Sequence, residues 1–175
     1  KLSENINASD NLDSVVKNAS IIFIATPSSI FETIVIRIKP LIAKNTKIIS
    51  CTKGIKNDPF KTMSDLIGEH LCFDNSNSVG VLSGPNLAKE IAEKKVSGTV
   101  IASKDKELIE ETKVILSSDT FKIYSSSDIY GVELAGALKN IYAIICGITD
   151  SLGVGENAIG LILTRSMAEM SRFAV

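Results

Sequence analysis

Unbroken apolar runs of strand length recur through the first two thirds of the chain, and the segments between them place their apolar residues at helical spacing. IIFIAT (21–26), KIISCT (47–52), VGVLSG (79–84), GTVIAS (98–103) and TFKIYSS (120–126) read as strands. A Ser9/Asp10 cap signal precedes Leu12, Val15, Val16 and Ala19, and Ser28 or Ser29 precedes Ile30, Ile34, Ile38 and Leu41. Both sets predict helices, as do the stretches around 60–70 and 105–117 and a two-turn piece begun by Pro85 and Asn86. Strands apolar on both sides belong to a sheet covered on both faces. Their alternation with helices favours a mostly parallel, doubly wound α/β arrangement.

The period changes at SSSD (125–128). Everything beyond it reads as helix, about 128–149 and then about 156–173. Asp128 suits a helix cap, and a boundary near 127 follows, with a sheet unit over 1–127 and the start of an all-helical unit over 128–175. GVGENAIG (153–160) follows a helix rather than a strand, and its glycines lack the spacing of a dinucleotide loop. It reads as a helix–helix turn, with Gly153 ending one helix and Glu156 opening the next.

With 45% hydrophobic residues, the 175-residue chain can bury a substantial core. A formal net charge of −1 gives no electrostatic case for nucleic acid or an acidic membrane surface. Cys51, Cys72 and Cys146 are odd in number and lack metal-ligand spacing, so they read as reduced fillers in a cytoplasmic setting with no metal. No secretory signal and no membrane-length apolar stretch is read. The chain opens on Lys1 rather than Met and stops at Val175 within a predicted helix, so a fragment is expected.

Ligands of open α/β sheets bind beyond the carboxyl ends of the strands. Three such ends carry candidate chemistry: Pro27-Ser28-Ser29, Lys53-Gly54, and Gly84-Pro85 leading into Asn86 and Ala88. Each also has a plainer reading, as a helix start, an exposed turn lysine or simple turn chemistry. Within 131–149, Gly136, Asn140, Ala143 and Gly147 form one smooth stripe of a helix, where another backbone or a ligand packs close. Lys139 stands at its margin. It either extends its stem to water or is held in a cleft, where desolvation makes a lysine a usable proton donor. His70 reads as a surface residue. Glu133 and Asp150 either orient Lys139 electrostatically or cap and solvate their helix, and Glu133 lies on a different face from Lys139.

GPNLAKEIA (84–92), the Lys53-Gly54 turn, GVELAGALKNIYAIICGITDSLGVGEN (131–157) and LTRSMAEMSR (163–172) together resemble the NAD(P)-dependent glycerol-3-phosphate dehydrogenases, in order and over nearly the whole chain. The resemblance implies a partial Rossmann-type sheet over 1–127 as the dinucleotide-binding domain, incomplete at its N-terminus. It also implies that 128–175 begins a helical substrate domain, incomplete at its C-terminus. The implied reaction moves hydride reversibly between NAD or NADP and the pair dihydroxyacetone phosphate and sn-glycerol 3-phosphate, feeding glycerophospholipid synthesis. Lys139 is implied as the catalytic acid/base. Lys53, Gly84, Asn86 and Asn140 are implied at the substrate, and Pro27, Ser28, Ile30, Lys53 and Ala88 at the cofactor. Asn86 departs from the serine usual in bacterial members, and Arg165 is assigned to helix packing or a structural ion pair. A homodimer is compatible with the family. Two alternatives stay open: a non-catalytic fragment acting as a folding or oligomerisation module, and a related Rossmann/helical dehydrogenase with another substrate. NADH and NADPH are not distinguished.

Overall fold

A computed structural model describes residues 4–71 and 78–173. In chain order it contains α1 (Leu12–Val16), β1 (Ile21–Ile24), α2 (Ser28–Ile38), β2 (Lys47–Ser50), β3 (Ile55–Asn57), β4 (Phe60–Thr62) and α3 (Met63–Leu71). There follow β5 (Val79–Ser83), α4 (Ala88–Ala92), β6 (Ser97–Ser103), α5 (Lys106–Leu116), β7 (Phe121–Ser126), α6 (Ile129–Ser151) and α7 (Glu156–Phe173). The main sheet has the order β1-β2-β5-β6-β7, parallel throughout except where β5 meets β6. This is the mostly parallel α/β architecture expected, followed by two helices.

Neighbouring residues of β2 show why the strands read as apolar on both sides. Ile48 belongs to one buried cluster, with Phe31 and Val35 of α2 and Met63, Leu66 and Ile67 of α3. Ile49 belongs to another, with Ile101 of β6 and Leu108 of α5. Successive strand residues point to opposite faces, so helices cover both sides of the sheet. Each such apolar side chain contributes about 1.5–3 kcal/mol when fully buried.

The helix ends are set by local chemistry. Asn11, Asp105 and Asp128 cap α1, α5 and α6 with side-chain oxygens that accept backbone N–H groups. The first cap therefore falls one residue beyond the expected Ser9/Asp10. No side chain caps α2; its N-cap is Pro27, so the expected serine cap does not form. Gly153 takes a left-handed turn (φ 63) just past α6, and Glu156 opens α7 as expected.

Two predicted elements shift. The helix expected around 60–70 starts only at Met63, because 55–62 forms a hairpin turning at Asp58-Pro59. The helix expected from Pro85-Asn86 starts at Ala88, leaving Asn86 in the preceding loop.

By length and composition, α6 is apolar enough to cross a membrane, although the sequence reading found no such stretch. It lies against β5 and β6, and three of its four buried residues, Glu133, Leu134 and Gly136, fall in its first half. Beyond Lys139, Ile141, Ile144, Ile145 and Ile148 are exposed, as are Leu161, Leu163 and Met167 of α7.

Candidate functional site at the sheet–helix seam

β1, β2 and β5 run parallel, so their carboxyl ends meet on one edge of the sheet. A cavity of about 310 Å³ opens there, lined by Ala25, Thr26, Cys51, Thr52, Lys53, Leu82 and Asn86. The buried Thr52 hydroxyl donates to the Thr26 carbonyl at 2.7 Å and ties the exit of β2 to that of β1. The chain then turns at Lys53 and Gly54, and Gly54 lies against Ser28. Lys53 reaches across the sheet edge, its Nζ donating to the Gly84 carbonyl at 2.8 Å.

The helical unit closes on this edge through Gly136. A Cβ there would sit 2.6 Å from Ser83 Oγ, which would have to turn aside, and 3.9 Å from Lys53 Cγ, so α6 makes its close approach over a residue without a side chain. One turn further on stand Lys139 and Asn140, with Lys139 Nζ donating to Asn140 Oδ1 at 3.0 Å. Burial first, and the nearby Lys139 ammonium second, hold Lys53 below the ordinary lysine range. Neither lysine forms an ion pair among the described residues. Two cations 86 positions apart in sequence thus share one seam without a carboxylate between them, which is an arrangement for an anion.

The structure brings Lys53, Lys139, Asn140, Gly84 and Asn86 to this seam. Asn86, expected in the first turn of a helix, instead turns inward from the loop. Its Nδ2 donates to Thr99 Oγ1 at 3.1 Å, while its Oδ1 is buried without a partner, as is the Thr26 hydroxyl. Pro27, Ser28 and Ile30 at the start of α2, and Ala88 at the start of α4, are exposed on the same edge. A larger cavity of about 540 Å³ lies beyond Gly84 and is lined by Pro85, Glu90, Lys122 and Tyr124 among others. Gly84 lines it, but Lys53 and Lys139 do not, so the site is placed at the smaller one, which Lys53 lines.

Gly84 shows its structural role directly. A Cβ there would fall 2.7 Å from the Gly98 carbonyl and 2.8 Å from Thr99 Cα, both backbone atoms of β6 that cannot swing aside. Gly84→Ala is expected to cost about 1–3 kcal/mol in denaturant unfolding. It is also expected to weaken the site, because the carbonyl holding Lys53 must move.

Of the two readings of Glu133, that of a residue capping and solvating its own helix does not hold. Only 5% exposed, it accepts from the Ser64 backbone N–H at 2.9 Å and from the Ser64 hydroxyl. Its position three residues before Gly136 puts it on the docking stripe, a spacing the sequence did contain. The stripe itself ends early: Gly147 meets nothing within 4 Å and Ala143 is exposed. Burial raises the pKa of Glu133, opposed by its bonds to Ser64 and Thr62. A raised carboxylate contributes stability that is fully present below its ordinary 4.5 and is lost as pH climbs through the folded-state value. The difference in Tm between wild type and Glu133→Gln is therefore expected to move against wild type as pH rises from 4.5, as calorimetry across that range checks.

Other side chains fall outside the seam. His70 is not a free surface residue: its Nε2 lies 3.1 Å from Glu32 Oε1, and Lys56 holds the other oxygen of Glu32 at 2.7 Å. Asp150 is exposed near the far end of α6. Arg165 is exposed and forms no ion pair among the described residues, so the structural ion pair, one of the two roles expected for it, is not seen. Burial pushes the Cys51 thiol up to about 11, as befits a filler. Cys146 is a free thiol, and Cys72 lies outside the described residues.

The family model described as NAD-dependent glycerol-3-phosphate dehydrogenase N-terminus matches residues 1–109, and the corresponding C-terminus model matches 128–175. The NAD(P)+ glycerol-3-phosphate dehydrogenase of Alcanivorax borkumensis is 46% identical over 175 residues, covering 100% of this chain and 50% of its own. That of Teredinibacter turnerae is 42% identical over 174 residues, covering 99% and 50%. The crystal structure of the Coxiella burnetii glycerol-3-phosphate dehydrogenase superposes with a TM-score of 0.88 at 32% identity, covering 98% of this chain and 51% of that one. The Dunaliella salina DsGPDH structure gives 0.86 at 30% identity, covering 98% and 29%. The chain spans about half the length of the curated relatives it matches.

Proposed function

We propose, for a chain that belongs to the NAD-dependent glycerol-3-phosphate dehydrogenase family, that the protein carrying it reduces dihydroxyacetone phosphate reversibly to sn-glycerol 3-phosphate. The product is the alcohol that glycerophospholipid synthesis consumes. Residues 1–127 serve as the dinucleotide-binding unit and 128–175 begin the substrate unit. The cysteines fit a reduced cytoplasmic setting.

The observation that carries this reading is the unneutralised pair Lys53 and Lys139 at the strand ends. A phosphorylated ketone is an anion that becomes still more negative at its carbonyl oxygen as C2 is reduced. Lys139 stabilises that oxygen and gives it a proton, yielding the alcohol, and recovers the proton from solvent. Lys53, anchored on Gly84, supplies the second positive charge, while Asn86 and Asn140 orient the substrate. The nicotinamide cofactor, as NADH or NADPH, supplies the hydride when bound. Pro27, Ser28, Ile30, Lys53 and Ala88 would hold it, and the buried, unpartnered Thr26 hydroxyl beside the cavity fits a ligand with hydrogen-bonding groups at that place.

The test follows loss of NADH and of NADPH by the full-length protein. Oxidation that depends on dihydroxyacetone phosphate and nearly vanishes with unphosphorylated dihydroxyacetone is expected. A wild type that oxidises neither cofactor in the presence of dihydroxyacetone phosphate contradicts the reading.

A further inference from the structure

We infer that Glu133 is a positioning residue for this reaction: its buried carboxylate latches the helix carrying Lys139 to the start of α3, and so sets Lys139 against Lys53. The inference rests on the function proposed above and adds a residue to its site.

The contact between α6 and the sheet edge at Gly136 is smooth, since Gly136 offers no side chain to key against Ser83. A smooth contact brings two elements close but leaves one free to roll or slide on the other. Glu133, almost one turn earlier on the same stripe, removes that freedom. Its two oxygens take the Ser64 N–H at 2.9 Å and the Ser64 hydroxyl, and the Thr62 hydroxyl, 2.9 Å from Ser64 Oγ, joins the cluster. These bonds are directional, and they come from β4 and α3, elements distinct from the one carrying Lys53. The charges facing Glu133 include Asp65, which opposes its ionisation, and no cation pairs with it among the described residues.

A buried carboxylate without a cation is an expensive way to join two elements when apolar packing would serve. What it adds over apolar packing is orientation. Six residues separate Glu133 from Lys139, a lever of about 9 Å at 1.5 Å per residue. A small rotation at the latch therefore moves the Lys139 ammonium relative to Lys53. Misplacing a catalytic group by about 1 Å lowers turnover on the order of a hundredfold.

The test compares the full-length wild type with four variants, at a temperature where circular dichroism shows all of them folded. Glu133→Ala is expected to lower kcat tenfold to a hundredfold, with the KM for the nicotinamide cofactor changed less than about threefold. Glu133→Gln, which keeps an acceptor for the Ser64 N–H and an amide for its hydroxyl, recovers kcat to within about threefold of wild type. Ser64→Ala, which trims one arm of the latch, lowers kcat severalfold and serves as the readout if Glu133→Ala does not fold. Ile109→Ala destabilises through the separate cluster under α5, which includes no residue of α2 or α3, and leaves kcat at the wild-type value. Wild-type kcat in Glu133→Ala or in Ser64→Ala overturns the inference. So does a Glu133→Gln as slow as Glu133→Ala, or an equal loss in Ile109→Ala. A wild type that fails to turn over dihydroxyacetone phosphate overturns the proposed function and this inference with it, a result separable from the others because it precedes any substitution.

Discussion

Lys139→Ala is expected to lower kcat for dihydroxyacetone phosphate by at least about a hundredfold, with cofactor affinity little changed. General acid catalysis by a positioned side chain contributes on the order of a hundredfold to ten-thousandfold. Removing Lys139 also removes a charge aimed at the developing oxyanion, where stabilisation is felt in the transition state more than in the ground state. The loss therefore falls on kcat and on kcat/KM together. Stability is expected to be nearly unaffected, because among the described residues the ammonium bonds only to its neighbour Asn140 and leaves no buried partner unsatisfied. Steady-state kinetics on the folded variant check the losses in rate, and denaturant unfolding checks the stability.

Lys53→Ala is the second large effect, and it differs in kind. Lys53 is anchored on the Gly84 carbonyl and faces the cavity at the strand ends, where a phosphorylated substrate needs positive charge before reaction begins. Its loss is expected to raise the KM for dihydroxyacetone phosphate about tenfold to a hundredfold, with a smaller effect on kcat, the pattern of lost ground-state binding. Lys53→Arg is not expected to restore it, because a planar guanidinium does not reproduce a point charge set on one carbonyl oxygen. The pH dependence carries the same signature. Burial and Lys139 lower the pKa of Lys53, so its positive charge is lost at a lower pH than that of a free lysine. The KM of the wild type should accordingly rise with alkaline pH, and that rise should be absent from Lys53→Ala.

The sheet was legible because each strand is a continuous apolar run, with consecutive residues such as Ile48 and Ile49 serving opposite faces. The long helices were legible for local reasons too: Asp128 caps one, and Gly153 separates it from the next. The hairpin at 55–62 was not, since strands of three residues carry too little alternation to separate from a helix start. Asn86 shows a different limit. Its residue type announced hydrogen bonding, but only the packed structure shows the amide aimed at Thr99 with an oxygen left unpaired.

Lys139 lay between these cases. Periodicity placed it at the margin of a small-residue stripe and left its destination open, and the family resemblance paired it with Lys53. What brings the two together is tertiary: a close approach at Gly136, which the stripe foretold, and a latch at Glu133, which it did not. A carboxylate on a helix otherwise suited to solvent or caps reads as polar surface until its partner, Ser64, 69 residues away, is seen.

The claim at the centre is that the two ammonium groups act on one anion at one place. A double-mutant cycle in kcat/KM measures this, using Lys53→Ala, Lys139→Ala and the doubly substituted enzyme with dihydroxyacetone phosphate. Groups that serve the same bound molecule are strongly non-additive. The predicted result is a double variant clearly less impaired than the product of the two single losses. A loss equal to the product of the two single losses would mean that the lysines act independently, and would contradict the account.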